Sequence, residues 1–340
     1  MTATSLQSQA LRLPRDLALI TVAISAVMLF VSMAARLLPD SPDSQQLRSA
    51  YALPGVWIPM VCSIAMGWVI SAAIAWCHGR NALERRGAGS VARLPQPRLR
   101  YAAAYVVVQL LNAYALSPLL YDLQLLFMPG GRFHESLGFT SMSAAMPVFV
   151  FLQSVAQLIV LVLGIWLSAW IALRGARAET EGSTGAHGDE AIHWAPPRRA
   201  VALVAASVFA SLQMWSGAVM SRWSSVAQDM NAAQLLVAWV VPPLAAFGLA
   251  FWGTWMGAAP IVSRVRPFRA MGASVLAFVL VQLLCIAAGL AWLSVAFSLH
   301  GFNSSPGSLI GFALMLVLLY ILCTVLLTRA ITRGLYRRYL

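Results

Sequence analysis

Apolar residues run through this chain in eight long blocks separated by polar breaks. The blocks cover residues 17–37, 56–76, 101–120, 146–173, 200–220, 235–256, 270–298 and 309–330. A helix rises about 1.5 Å per residue, so about 20 apolar residues cross the ~30 Å hydrocarbon core of a bilayer. Each block predicts one membrane-spanning helix. The third contains Pro118 near its end and apolar residues continue to Met128, which predicts a kink or an interfacial continuation. Blocks 146–173 and 270–298 exceed the minimum and have room to tilt. The first block is too long for a typical signal h-region and no small-x-small cleavage site follows it, so it is expected to remain as helix one.

One polar break differs from the others. Residues 175–199 contain Glu179, Glu181, Asp189 and Glu190, two histidines and hardly an aliphatic run. The blocks on either side follow a common order. Helices one and five begin after Pro14-Arg15 and Pro197-Arg198. Helices two and six carry Trp57 with Pro59 and Trp239 with Pro242-Pro243, and end near Trp76 and near Trp252 with Trp255. Proline and arginine follow, with Pro95 and Pro97 in one loop and Pro267 in the other. Then VVVQLL at 106–111 stands against VLVQLL at 279–284. Gly138-Phe139 and Gly301-Phe302 precede the last helix of each series, and Arg174-Gly175 and Arg333-Gly334 close them. The shared order predicts a tandem 4+4 helix repeat. Its N-terminal half is 1–175, its polar linker 176–199 and its C-terminal half 200–340. Four spans is an even number, so the halves are expected to share an orientation, related by an axis along the membrane normal.

Composition sharpens the class. Sixty per cent of the 340 residues are hydrophobic and 10% are charged, against about a quarter charged in soluble domains. Lipid solvates such an exterior where water would not; the expected fold class is an all-α integral membrane protein. The net charge of +12 comes from arginine alone, since the 23 basic residues include no lysine. That choice hints at a GC-rich bacterial genome, hence a bacterial inner membrane. Eight spans place both termini on one side. That side holds Arg12, Arg15, Arg80, Arg85, Arg86, Arg93, Arg98, Arg100, Arg174, Arg177 and the arginines at 198–199, 264–269 and 329–338. The other holds only Arg36, Arg48, Arg132 and Arg222. Positive charge concentrates in cytoplasmic loops, so both termini are expected in the cytoplasm. The arginines sit at helix ends and not on one soluble face, which argues against nucleic acid. Arg80, Arg85, Arg86, Arg93, Arg98 and Arg100 are expected to form a basic loop against anionic lipid headgroups.

Candidate chemistry is sparse. Cys62, Cys77, Cys285 and Cys323 lie in or beside apolar runs without a CxxC, so neither disulfides nor zinc are expected. Ser63, Gly67, Ser71, Ala75 and Gly79 form a small-residue stripe on helix two, with a shorter one at Gly253 and Gly257 on helix six. Such stripes let helices approach closely, and ordinary packing is the favoured reading over a sliding interface. Tryptophans near the helix ends read as interfacial anchors and Trp68 as packing. The polar residues at depth are Gln109 and Asn112 on helix three, Gln153 and Gln157 on helix four, Gln213 on helix five and Gln282 on helix seven. Each needs a partner in lipid. They read either as interhelical hydrogen bonds or as an intramembrane polar lining. No Asp, Glu, Arg or His occupies the middle of a span. This argues against a proton-coupled carrier, a voltage sensor or a bis-histidine haem.

Outside the spans, Asp122, His134 and Glu135 form a weak external cluster, and Asp40 and Asp43 a weaker one. Neither has a nucleophile or a completing motif, and solvated loops are the favoured reading. His187, Asp189, Glu190 and His193 lie in a Gly-rich segment unsuited to a preformed metal site. No catalytic residue, cofactor or metal is expected, and no P-loop or dinucleotide fingerprint occurs. Two functions follow: a permease-like protein for a neutral or amphipathic solute, or a non-catalytic scaffold, sensor or assembly component acting with a partner protein. A lipid-modifying enzyme ranks last for want of a motif. The linker is expected to act as a solvated tether. Replacing residues 179–192 with an equally long Gly/Ser segment should preserve membrane insertion and activity; loss of activity in an intact, inserted protein would make the linker functional.

Overall fold

A computed structural model describes residues 3–136, 142–175, 197–221, 231–258, 265–300 and 306–337. These residues are almost wholly helical. The first helix, α1, is Ala3–Leu37, followed by a short α2 (Pro42–Tyr51) and a long α3 (Pro54–Ala92). Next, α4 (Pro97–Leu111) passes through a π turn (Asn112–Leu116) into α5 (Ser117–Phe127). A short α6 (Arg132–Ser136) and then α7 (Met142–Leu173) follow. Beyond the linker come α8 (Pro197–Ser221), α9 (Ala232–Gly257), α10 (Pro267–His300) and α11 (Pro306–Tyr336). Among the described residues, eight helices are long and apolar enough to cross a membrane, with α4 and α5 forming one span, Pro97–Phe127. Large apolar side chains face outward along them: Phe30 is 75% exposed, Leu244 64% and Leu318 67%. Water would penalise that surface at about 25 cal/mol per Å², whereas lipid does not. The chain is a multi-pass membrane protein.

Two expectations about local structure change and a third is made specific. Helix one does not begin after Pro14: α1 runs through it, and Pro14 packs against Gly79 of α3. The arginines at 80–93 do not form a loop, because α3 continues to Ala92. Good helix formers in 80–86 and an Arg80–Glu84 pair at 3.0 Å one turn apart sustain it. The break falls at Gly87, whose φ of 76° and ψ of 158° suit only a residue without Cβ. Helix three continues past Pro118, as its apolar run suggests. The proline ring would clash with a carbonyl four residues back, and proline donates no hydrogen bond. The chain widens into the π turn just before it, where Ser117 Oγ donates to the Asn112 carbonyl at 3.0 Å.

The chain forms two compact units, Met1–Ala186 with Met214–Val240, and His187–Gln213 with Val241–Leu340. In the first, α1 packs on α3 and α4, and α7 packs on the same two helices, which closes a ring. The facing ends of α8 and α9 also belong here, where Leu235 and Trp239 bury Ile58 of α3. In the second unit, α8 meets α10 through Ser274 and α9 through Arg198, whose Nε donates to the Trp255 carbonyl at 2.8 Å. Helix α11 packs on α10, and on α9 at Gly253 and Gly257.

The third long helix of each series opens in the same way. Gln96 (φ 45°) and Arg266 (φ 41°) are the non-glycine residues of positive φ among the described residues, and each precedes the proline that starts the helix. A left-handed pre-proline residue costs on the order of 1–3 kcal/mol. Each nonetheless offers its carbonyl to the new helix, accepting from Arg100 N at 3.1 Å and from Arg269 N at 2.9 Å. The guanidinium of Arg100 donates to the Arg174 carbonyl and that of Arg269 to the Leu335 carbonyl, both at 3.4 Å. Each thereby satisfies an orphan carbonyl at the end of a later long helix.

The small-residue stripe on α3 is split in its role. A Cβ on Gly79 would stand 2.8 Å from the Pro14 backbone, whereas one on Gly67 would meet nothing. Gly79→Ala should therefore lower stability by about 1–3 kcal/mol, whereas Gly67→Ala should leave it unchanged or raise it by up to about 1 kcal/mol, the helix-propensity gain. Thermal unfolding of both variants in the same detergent tests this; equal melting shifts would contradict it.

Candidate functional site

The polar residues at depth fall into two sets, one in each unit. In the first, helical spacing puts Thr21 and Ser25 on one face of α1, and Tyr101, Tyr105 and Gln109 on one face of α4. Thr21 Oγ1 donates to the Leu17 carbonyl at 2.8 Å, which leaves Tyr101 to donate to Thr21 at 2.7 Å. Gln109 Nε2 donates to Tyr105 Oη at 2.7 Å. Tyr105 Oη also shares a hydrogen bond with Ser25 Oγ, 3.0 Å away. The two tyrosine rings lie parallel, 6.0 Å between centroids, and both are buried.

In the second unit Gln213 of α8 is the hub. Its Oε1 accepts from Gln282 Nε2 of α10 and from Tyr320 Oη of α11, each at 3.0 Å. One turn away Phe209 meets Phe278 edge to face at 5.5 Å. A further turn on, Ser274 Oγ donates to the Ala205 carbonyl at 2.7 Å.

Each set keeps a constant separation of its own. Thr21–Tyr101 and Ser25–Tyr105 are both 80 residues apart. Ala205–Ser274 and Gln213–Gln282 are both 69 apart, and Phe209–Phe278 lies between them at the same separation. The displacement that superposes the two QLL motifs sets Tyr101 against Ser274, Tyr105 against Phe278 and Gln109 against Gln282. A constant second displacement sets Thr21 against Ala205 and Ser25 against Phe209.

The remaining residues singled out in the sequence are more dispersed. Asn112 is half-buried at the start of the π turn, while Gln153 is half-buried and Gln157 exposed on α7. Asp122 is exposed on α5, and His134 and Glu135 lie on the five-residue α6, Glu135 exposed. Among the described residues no three His, Cys, Asp or Glu side chains converge as metal ligands. Asp40 pairs with Arg48 at 3.3 Å on the surface, a contact of little energetic weight. The linker residues His187, Asp189, Glu190 and His193 lie outside the described residues. All four cysteines are free thiols, with Cys77 buried.

The sequence marks the amides as groups that need partners but does not show Tyr105 and Tyr320, which bond them, or the Thr21–Tyr101 and Ser25–Tyr105 pairs. The four-residue spacing of Tyr101, Tyr105 and Gln109 was the available signal. If Gln213 is a hub, Gln213→Leu and Tyr320→Phe should not be additive. Unfolding of the single and double variants should give a coupling of about 0.6 kcal/mol, the usual size inside a membrane; strict additivity would mean the contact carries no energy.

No family profile matches this chain, and comparison with curated proteins and with solved structures finds no match.

Proposed function

We propose that this protein is a permease-like component of a bacterial inner membrane, carrying a neutral or amphipathic solute, built from two four-helix halves of one plan. In this reading both halves run in the same direction and both termini are cytoplasmic, as the arginine bias favours. The observation that supports it is that α1 packs on α4 and α8 on α10 at a constant residue separation within each pair, with Gln109 and Gln282 in the similar motifs VVVQLL and VLVQLL. The left-handed residue before proline and the arginine that caps a later helix, present in both series, support the same plan. So does packing order: α1–α4–α7–α3 closes a ring in one unit, and α8–α10–α11–α9 does so in the other. Paired similar halves are a frequent architecture of carriers. The span centres hold amides and hydroxyls without an Asp, Glu, Arg or His side chain, which suits an uncharged or amphipathic solute and disfavours proton coupling at depth.

A second reading, a non-catalytic scaffold, sensor or assembly component, is favoured by one observation. Gln213, Gln282 and Tyr320 satisfy one another, which leaves less hydrogen-bonding capacity for a solute.

The readings separate experimentally. In a chain with its four cysteines replaced, Gln109→Cys and Gln282→Cys should react with a water-soluble thiol reagent if the amides line a solute path. Inertness of both from either side would sink the polar lining, and a reproducible partner in mild-detergent pulldown would then support the scaffold.

A further inference from the structure

One polar cavity lies apart from the amide sets, in the first unit at the arginine-rich end of α3 and α7. It has a volume of about 320 Å³. One face of α3 contributes His78, Asn81, Ala82, Arg85 and Arg86, which follow the i, i+3, i+4, i+7, i+8 spacing of a single helical stripe. The matching stripe of α7 is Trp166, Ala169, Trp170 and Leu173, and Arg174 and Gly175 complete the wall. Ala82, Ala169 and Leu173 are buried and make an apolar floor. Arg85, Arg174 and the two tryptophans are exposed, with Trp166 at 50% and Trp170 at 48%.

The charge of this cavity is one-sided. Three guanidiniums line it, and among the described residues no carboxylate does. The nearby acid, Glu84, pairs with Arg80 at 3.0 Å, and the helical period turns both onto the opposite face of α3 from Ala82. Among the described residues Arg85, Arg86 and Arg174 make no ion pair. Two of them are held in place by neutral partners. Arg86 Nη1 donates to the Leu173 carbonyl at 2.6 Å, and the Arg174 guanidinium lies 5.0 Å from the centroid of Trp170. Each keeps further N–H donors for an anion. Gathering three like charges costs free energy that a bound anion removes.

Depth indicates the source of that anion. Along α3, residues 78–86 lie about 30–45 Å from Trp57 near its other end. A hydrocarbon core of ~30 Å puts them at headgroup level. The exposed tryptophans beside the cavity have the amphipathic rings that settle at that depth.

We infer that this cavity binds a phosphate group, with the fork-shaped donors of Arg85, Arg86 and Arg174 on its oxygens and Trp166 and Trp170 against the attached chain. The shared chemistry is a phosphate mono- or diester, and the tryptophan wall fits it to an anionic phospholipid. The site does not depend on the transport reading.

The test is lipid titration of the full chain by native mass spectrometry in a neutral detergent. The probes are phosphatidylglycerol, phosphatidylcholine of the same acyl chains, and inorganic phosphate. Phosphatidylglycerol should bind at least about tenfold more tightly than phosphatidylcholine, and Arg174→Gln or Arg86→Gln should weaken it about tenfold, as loss of one charged hydrogen-bonding group does. Arg132→Gln, which removes the same charge from α6, should leave it unchanged. Inorganic phosphate that binds and displaces the lipid would keep the phosphate site and assign it a soluble source. Equal weakening by Arg132→Gln, or no preference over phosphatidylcholine, would overturn the proposal by reducing it to general electrostatics. Exchange of residues 179–192 for Gly/Ser should not alter the lipid constant. If lipid bound only after that exchange, the acidic linker would be the occupant and the proposal would fail. Arg174→Lys guards against a folding artefact: it keeps the charge and loses the fork, and should bind with intermediate affinity while melting as the parent does.

Discussion

Inside hydrocarbon a polar group has no water to turn to, and the arrangement of this protein depends on that constraint. Backbone groups meet it by forming helices, and the side chains at depth meet it by pairing within a helix or across to the next. Gln109 spends a donor on Tyr105, and Gln213 takes donors from both Gln282 and Tyr320. Each bond is individually modest, since alternative partners exist in a membrane. Their effect lies in register: an amide that must reach a hydroxyl on the next helix fixes how the two helices slide and rotate. In the second unit the edge-to-face contact of Phe209 with Phe278 adds shape to this fixing of α8 against α10.

Close approach of helices is the second determinant, and it is local. Gly79 admits Pro14, Gly164 admits Val108, and Gly253 and Gly257 admit the backbone of α11. Gly67, in the same small-residue stripe, meets nothing on its open side. Lipid gives no hydrophobic drive for apolar helices to associate, so van der Waals contact at these few glycines carries much of the packing. At the polar ends, arginine works differently. Arg86, Arg100, Arg198 and Arg269 each donate to a carbonyl at the end of another helix, satisfying groups that a helix terminus leaves open. A single residue type thus biases topology, caps helices and, beside α7, lines the phosphate cavity inferred above.

The amino-acid sequence by itself determined the class of protein and the number of spans. Both rest on apolar runs longer than a bilayer is thick, a one-dimensional property. It also marked Gln109, Gln213 and Gln282 as residues that need partners, because burial of an amide in lipid is legible from position alone. Tertiary structure decided what those partners are, since Tyr320 stands 107 residues from Gln213 and no local pattern joins them. It decided that α3 continues past Arg86 with its break at Gly87, because a helix end depends on what its last turns pack against. It also decided that His78, Arg85 and Arg86 share a cavity with Trp166, Trp170 and Arg174. In the sequence those residues are two unrelated stripes, one basic and one aromatic. Only the packing of α3 on α7 makes them a single surface.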